Sequence, residues 1–249
     1  MLCITDLSKT FYPNTPNEIR ALQEVNLEVG KGEYVVLLGA NGSGKSTLLN
    51  LIAGTYYPST GKIQLAEKDI STLPDYRRSK WIARIFQNPL QGTSGDLSVL
   101  ENFRLASLRT KTKTLQIGNN KHFKQEVQEK IAALGMNLEN KILQTMASLS
   151  GGQRQALTLL MATMDTAKLL LMDEPTAALD PKSAYTLMEK ATEIIGKYQL
   201  TALLITHNLK DAHQYGTRIV QMQQGKIIRD KNEAQKKILE LSEIRNWFD

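Results

Sequence analysis

The stretch YVVLLGANGSGKSTLLNLIAG, residues 34–54, holds the pattern that decides the fold of this chain. Five apolar residues lead into a turn with three glycines and a lysine (GANGSGKST, residues 39–47), and an apolar helical pattern follows. Because the turn carries few bulky side chains, its backbone N–H groups can converge on one point, and the helix directs its positive N-terminal end there. The pattern predicts a strand–turn–helix unit that binds a phosphate chain.

The turn fits the P-loop pattern G-x-x-x-x-G-K-[ST]. Its glycines allow the backbone to turn inward, Lys45 is expected to reach the β- and γ-phosphates, and the Ser46 hydroxyl is expected to bind Mg²⁺. The residues predicted to hold the phosphates are Gly39, Asn41, Gly42, Ser43, Gly44, Lys45, Ser46 and Thr47.

Composition limits the classes of protein that fit. With 249 residues, 41% hydrophobic and 22% charged, the chain is long enough for a sizeable core and ordinary for a globular protein. No apolar stretch approaches the ~20 residues needed to span a bilayer, and the N-terminus lacks a secretory pattern. We therefore expect a cytoplasmic protein whose link to a membrane comes through a partner. The single cysteine, Cys3, excludes an internal disulfide and a cysteine-rich zinc site.

The net charge of +6 is a mild basic excess. Much of it lies in stretches such as residues 108–124, LRTKTKTLQIGNNKHFK, which are expected to be solvated surface. No interleaving of aromatic and basic residues accompanies the charge, so we expect no nucleic-acid partner.

Three continuous apolar runs, at residues 34–39, 168–173 and 202–206, predict strands that are buried on both faces of a mostly parallel sheet. A helix is predicted over residues 181–198, with Asp180 as its N-cap and Pro181 in its first turn. The opening segment alternates in polarity and predicts an antiparallel β layer beside the nucleotide site. The predicted fold class is α/β, a P-loop NTPase.

We expect one domain over residues 1–249 with an inserted part. Residues 1–95 and 148–230 are predicted to form the α/β core. Residues 96–147 contain VLENFRLASL and FKQEVQEKIAALG, both with helical spacing, and are predicted to form a helical subdomain. Residues 231–249 are predicted to form a C-terminal helix, with NEAQKKILELSEIRNWF read as one amphipathic helix.

Two carboxylates follow the second apolar run. KLLLMDEP places Asp173 and Glu174 at the end of a buried strand. Buried charges are costly unless they are paired or bound to metal, so packing alone does not account for both. Asp173 suits Mg²⁺, largely through water, and Glu174 suits polarisation of an attacking water.

A second glycine-containing turn, LSGGQ at residues 149–153, leads into the helical stretch RQALTLLMATM. A serine and two glycines at a helix start form a second phosphate-binding element. One nucleotide has one γ-phosphate, so two such elements predict two chains that face each other, each closing on the nucleotide held by the other.

These motifs together resemble the ATPase subunits of ABC transporters over nearly the whole chain. The resemblance implies ATP and Mg²⁺ as cofactors and ATP hydrolysis as the reaction. Tyr12 is expected to stack on adenine, with Phe11 as the rival. By resemblance, Gln87 contacts Mg²⁺ and the attacking water, Asp180 belongs to the D-loop, and His207 contacts the γ-phosphate. The implied signature residues are Ser150, Gly151, Gly152 and Gln153; the implied catalytic residues are Glu174, His207, Gln87 and Lys45; the implied metal-binding residues are Ser46, Gln87 and Asp173.

Within that family the chain is most similar to ATPases of bacterial importers that work with a binding protein. The resemblance implies a membrane permease, a second ATPase subunit in a homodimer, a substrate-binding protein, and a location on the inner face of the cell membrane. A small solute such as an amino acid is the expected cargo. An ATPase of a lipoprotein-releasing exporter, a soluble ABC ATPase for cofactor assembly and a nucleic-acid-remodelling ATPase stay open as alternatives.

A permease helix is expected to dock in a groove near residues 87–101. The apolar residues there exceed what a solvated loop needs, although packing within the subdomain is a rival explanation for most of them. They are Phe86, Pro89, Leu90, Leu97, Val99, Leu100 and Phe103.

Overall fold

The computed structural model describes residues 1–109, 120–165 and 167–248. The strands in these ranges are β1 (Leu2–Phe11), β2 (Ile19–Val29), β3 (Tyr34–Leu38), β4 (Thr60–Leu65), β5 (Lys68–Asp69), β6 (Ile82–Ile85), β7 (Leu169–Asp173), β8 (Thr201–Thr206), β9 (Arg218–Gln223) and β10 (Lys226–Lys231). The α-helices in the same ranges are α1 (Lys45–Ala53), α2 (Asp75–Arg78), α3 (Val99–Ser107), α4 (Lys121–Ala132), α5 (Gly151–Met161), α6 (Pro181–Tyr198), α7 (Leu209–Gln214), α8 (Glu233–Lys237) and α9 (Leu241–Arg245). None of these helices is both long and apolar enough to cross a bilayer.

The central sheet has the strand order β10-β9-β3-β8-β7-β6. Every pairing from β9 to β6 is parallel, and only β10 pairs antiparallel, with β9. All residues of β3 and β8 are buried. Alternate residues of β3 enter different apolar clusters, Val36 on one face and Val35 and Leu37 on the other, as the alternation of side chains along a strand requires. The three predicted buried strands and the mostly parallel sheet are confirmed.

The N-terminal β layer is a second sheet with the order β2-β1-β4-β5, and all its pairings are antiparallel. Its apolar residues, among them Leu2, Ile4 and Val25, share one buried cluster with α1 and one face of β3. The α1 helix is therefore held between the two sheets, and the turn before it is fixed from both sides.

Helices α3 and α4 confirm the helical spacing within residues 96–147. Ser98 caps α3 in a capping box with Glu101, and Asn120 caps α4. The apolar cluster of these helices is continuous with the cluster on one face of the central sheet. Residues 110–119 of the stretch expected to be solvated lie outside the described residues. The boundaries of the core and the subdomain stay a prediction.

The predicted single helix at the C-terminus is wrong. The tail forms two short helices, α8 and α9, separated at residues 238–240. Lys236 anchors α8 by donating from its buried Nζ to the carbonyl oxygens of Tyr215 and Gly216. Glu240 is the N-cap of α9, and Ile244 on this second helix is fully buried in the core. The apolar periodicity predicts one continuous helix because these tertiary anchors leave no local pattern in the sequence.

The burial of α3 also decides between docking and packing for three residues of the predicted groove. Val99 and Phe103 are fully buried, and Leu100 is 5% exposed, so all three belong to the core. Leu90, by contrast, is 56% exposed. Val99, Leu100 and Phe103 are therefore not available for the predicted docking, whereas Leu90 is accessible.

We expect Phe103→Ala to destabilise the fold by ~3–5 kcal/mol, because the truncation leaves a cavity in a close-packed core. Leu105→Ala on the same helix is the matched control, since Leu105 is 55% exposed, and it should change stability by less than ~0.5 kcal/mol. Urea unfolding of both variants measures the difference. Equal midpoints for the two variants would show that Phe103 does not anchor α3.

Candidate functional site

The parallel strands of the central sheet end at one edge, and a polar residue or turn follows each of four strands there. The turn 39–47 follows β3, Asp173 ends β7 with Glu174 after it, His207 follows β8, and Gln87 lies two residues after β6. Open α/β sheets bind ligands at this edge, where helices and loops leave the strands. The sequence-predicted residues on these four strands are therefore brought to one place.

Lys45 is the cation at the centre of the turn, and only 5% of the residue is exposed. Its Nζ donates to the carbonyl oxygens of Gly39 at 2.7 Å and Ala40 at 3.0 Å, and to the Ser43 hydroxyl at 3.4 Å. Burial lowers the pKa of the Lys45 amino group, and the carboxylates of Glu174 and Asp173 oppose that shift. The loop thus wraps around its own lysine and holds the amino group in place for a phosphate chain.

The three glycines of the turn are required for two different reasons, close packing and backbone conformation. A Cβ at Gly39 would lie 2.4 Å from the carbonyl oxygen of Met222, and one at Gly44 would lie 2.7 Å from that of Ala21. These two glycines let the turn pack tightly against β9 and β2. A Cβ at Gly42 would meet nothing within 4 Å, but its φ of +79° favours glycine. Gly42 therefore shapes the open side of the turn, where a ligand can approach.

Asp173 lies beside Ser46 and is 13% exposed. Its Oδ1 accepts from the Ser46 hydroxyl at 3.3 Å, and its Oδ2 is 3.4 Å from Nη2 of Arg84. Burial raises the pKa of the Asp173 carboxyl, and the Arg84 guanidinium and the Ser46 hydroxyl oppose that shift. The sequence patterns did not indicate Arg84; its only signal is one cation inside the short apolar strand IARI.

Glu174 and His207 form a contact at the same edge. Glu174 Oε1 is 3.1 Å from His207 Nδ1, and the side chains are 17% and 61% exposed. Glu174 has a φ of +46°, a left-handed conformation that is uncommon for a residue with a side chain. Its backbone N–H donates to the carbonyl of Ile205 on β8, which fixes this conformation. Glu174 faces the phosphate turn, whereas His207 lines a neighbouring cavity of about 430 Å³ that Glu174 also borders.

A cavity of about 890 Å³ opens in front of the turn. Its walls include Gln87 and Glu174, together with Phe11 at the end of β1, but not Tyr12. Tyr12 is 65% exposed, so the geometry favours Phe11 over Tyr12 as the aromatic residue for a base. The remaining wall residues are Ile19, Arg20, Ala21, Gln23, Asn41, Gly42, Ser43, Gly44, Lys45, Ser46, Thr47 and Gln224.

The signature residues 150–153 lie outside this cavity. Ser150 caps α5 by accepting from the backbone N–H of Gln153, and the Gln153 side chain accepts from the Ser150 N–H in return. A Cβ at Gly152 would lie 3.0 Å from Ser183 Cβ on α6. Asp180 caps α6, and hydrogen bonds from Ser183 lower the pKa of its carboxyl. One chain therefore does not bring its signature residues to its own phosphate turn.

The donor set suits Mg²⁺ bound together with a nucleotide. Among the described residues no group of three or more histidine, cysteine, aspartate or glutamate side chains could hold a metal by itself. Ser46, Asp173 and Gln87 offer oxygen atoms, and Mg²⁺ is usually held by one or two protein ligands with phosphates and water completing its shell. These residues fit a nucleotide-dependent Mg²⁺ site, with Ser46 and Asp173 already in contact.

Comparison with known proteins places these features in context. The family model described as ABC transporter matches residues 22–177. The tyrosine transport ATP-binding protein of Clostridioides difficile is 37% identical over 250 residues, which cover 100% of this chain and 99% of that protein. A xylose/arabinose import ATP-binding protein of Sulfolobus acidocaldarius is 35% identical over 253 residues, covering 100% of this chain and 94% of that protein.

Solved structures give the same result for the fold. A dimeric ATP-binding cassette in a post-hydrolysis state with ADP and Pi matches with a TM-score of 0.79 and 26% identity, covering 94% of this chain and 99% of that one. An ADP-bound cassette of an ABC transporter matches with a TM-score of 0.79 and 28% identity, covering 98% of this chain and 96% of that one. The nucleotide-binding ATPase fold is thereby confirmed, with ATP as its ligand.

We expect Glu174→Gln to keep nucleotide binding and to lower turnover by ~10²–10⁴-fold, because glutamine keeps the shape of the side chain but cannot accept a proton. Glu28→Gln is the matched control, since Glu28 is exposed on β2 and lies away from the cavity. Phosphate release and binding of a fluorescent ATP analogue measure the two effects. Near-normal turnover in Glu174→Gln would remove Glu174 from the predicted catalytic residues.

Proposed function

This chain belongs to the ATP-binding subunits of ABC transporters, and on that premise we propose that it drives a membrane permease that imports a small solute such as an amino acid. It is an ATPase that works as a dimer. The observation that supports a dimer is that the signature residues lie outside the nucleotide cavity of the same chain. If two copies face each other, the signature residues 150–153 of each copy would close the nucleotide cavity of the other.

In this proposal, each residue of the site has one task. Lys45 binds the phosphates, and the N–H groups of the turn hold their oxygens. Ser46, Asp173 and Gln87 would hold Mg²⁺, whose chemistry is to neutralise charge on the β- and γ-phosphates. Glu174 accepts a proton from the attacking water, and His207 orients Glu174 through the contact at Nδ1 and offers its other ring nitrogen to the γ-phosphate. Residues 150–153 of the second copy close the site.

The relatives support import and an amino-acid cargo. The similarity to the tyrosine transport protein, which supports an amino-acid cargo, extends over the whole chain, and the xylose/arabinose relative is an import protein. An importer of this kind would include a substrate-binding protein and a permease, and the ATPase would lie on the inner face of the membrane. The cargo would be recognised by those partners rather than by this chain, so its identity has to be measured on the complex.

Two cavities beside Gln87 offer the permease a docking cleft. One, of about 500 Å³, lies between β6, α3 and α5, and its walls include Leu105 and Arg109. The other, of about 370 Å³, lies between β6 and α2 and is lined by Tyr76 and Phe86. Arg84 lines both. We define the docking cleft as these two cavities; it includes Phe86 of the groove predicted from the sequence and excludes the buried Val99, Leu100 and Phe103.

We expect Leu105→Glu to abolish permease-dependent stimulation of ATPase activity and uptake of labelled amino acid, while basal hydrolysis persists. The reason is that a charge in the cleft opposes the seating of an apolar helix. Leu143→Glu is the matched control, because Leu143 is 68% exposed and lies outside the cleft. Proteoliposomes that contain the permease, the binding protein and each variant provide the measurement.

Full stimulation in Leu105→Glu would place the docking surface elsewhere on the chain. Intact stimulation without uptake of any of the twenty amino acids would leave the transporter function in place and contradict the cargo.

A further inference from the structure

Arg84 joins the nucleotide site to the docking cleft. On one side its Nη2 lies 3.4 Å from Asp173 Oδ2, and both side chains are more than four-fifths buried, at 14% and 13% exposure. On the other side it lines both cavities of the cleft. Its guanidinium carbon stacks 4.5 Å from the ring centroid of Phe86, the residue directly before Gln87. Arg84 is the one cation within 4 Å of the Asp173 carboxylate in the described part of the chain.

The geometry at Asp173 sets up a competition of charges. Oδ1 faces Ser46, where Mg²⁺ is expected, and Oδ2 faces Arg84. A cation on the Ser46 side therefore shares one carboxylate with a guanidinium and is repelled by it at short range in a poorly screened site. Without a metal, Arg84 neutralises the charge of the Asp173 carboxylate. With a metal bound, Arg84 would lower the affinity of the site for it.

The cavity next to α3 could hold an acidic ligand that pairs with Arg84 on the side away from Asp173. Its walls contain two arginines, Arg84 and Arg109, and no aspartate or glutamate. Two buried polar atoms on these walls, Nε of Arg84 and Oγ1 of Thr93, have no hydrogen-bond partner within the described structure. Buried donors of this kind indicate a missing acceptor, and a carboxylate satisfies both the charge and the hydrogen bonds.

We propose that a carboxylate on the docking segment of the permease binds Arg84 in this cavity, draws it away from Asp173, and so tightens the binding of the metal–nucleotide complex. The coupling is reciprocal: a cation held by Asp173 loosens Arg84 and makes it available to the permease. The metal step concerns the isolated chain alone, whereas the docking step rests on the proposed transporter function.

The metal step is tested with Mn²⁺ as the probe, followed by electron paramagnetic resonance on the isolated protein with a non-hydrolysable ATP analogue. Arg84→Met should raise the affinity for Mn²⁺ roughly three- to tenfold. The reason is that removing the competition and repulsion from Arg84 outweighs the cost of orienting the Asp173 carboxylate without its partner. Arg84→Lys keeps the charge and should stay close to wild type. Arg109→Met removes the other arginine of the cavity, which does not contact Asp173, and should have no effect.

A double-mutant cycle tests whether Arg84 affects Mn²⁺ binding through Asp173. In an Asp173→Asn background, Arg84→Met should give a smaller gain in Mn²⁺ affinity than in wild type, because the competition for the shared carboxylate is gone and only the direct repulsion between the two cations remains. Unchanged or weaker Mn²⁺ binding in Arg84→Met alone, or an equal gain in the Asp173→Asn background, would overturn the metal step. Thermal unfolding of each variant confirms that the comparison is made between folded proteins.

The docking step is tested by adding the permease complex. Wild type should then gain Mn²⁺ affinity, and Arg84→Met, which already has the gain, should show no further increase. Equal gains in both proteins would overturn the docking step while the metal step stands. A permease that stimulates hydrolysis but does not alter Mn²⁺ affinity in wild type would likewise contradict the role of the carboxylate, without touching the transporter function.

Discussion

The fold places several charges at the edge of an apolar sheet, and such charges are tolerated only when they have partners. Lys45 is enclosed by the carbonyl oxygens of its own loop, Asp173 is paired with Arg84, and Glu174 is in contact with His207. We propose that nucleotide binding exchanges these partners at a preformed site. The phosphates would replace the loop carbonyls around Lys45, and Ser46 and Asp173 would hold Mg²⁺. The remaining parts of the molecule serve to hold these groups or to respond to their exchange.

The segment before Gln87 contacts two parts of the molecule. The signature helix α5 is capped by Ser150, away from the cavity, and is tied to this segment because the side-chain amide of Gln155 donates to the Phe86 carbonyl at 2.7 Å. Arg84 lies beside the same Phe86 ring. The signature helix and the proposed docking cleft are thus connected through one short segment, residues 84–87. In the proposed cycle, changes at the γ-phosphate would reach both through that segment.

The sequence predicted the parts whose chemistry is local. Residues 34–54 predicted the strand, the phosphate turn and helix α1, and the runs around Asp173 and His207 predicted the strands that carry them. Sequence reasoning missed the break before Glu240 and the role of Arg84, and it left open the burial of Leu100 and the choice between Phe11 and Tyr12; all four depend on distant contacts. Their determining neighbours lie on other elements of the fold. Arg84 and Asp173 are 89 positions apart in the sequence, so no local pattern predicts that they pair.

We propose that a second copy completes the catalytic site, and cross-linking can detect that arrangement. In a Cys3→Ser, Glu174→Gln background, Asn41→Cys in the phosphate turn and Ser150→Cys in the signature would be exposed on one chain. A short bis-maleimide should produce a covalent dimer that depends on ATP and Mg²⁺, and neither single-cysteine variant should give it to the same extent. Equal cross-linking with and without nucleotide, or cross-linking only within one chain, would contradict the two-chain site.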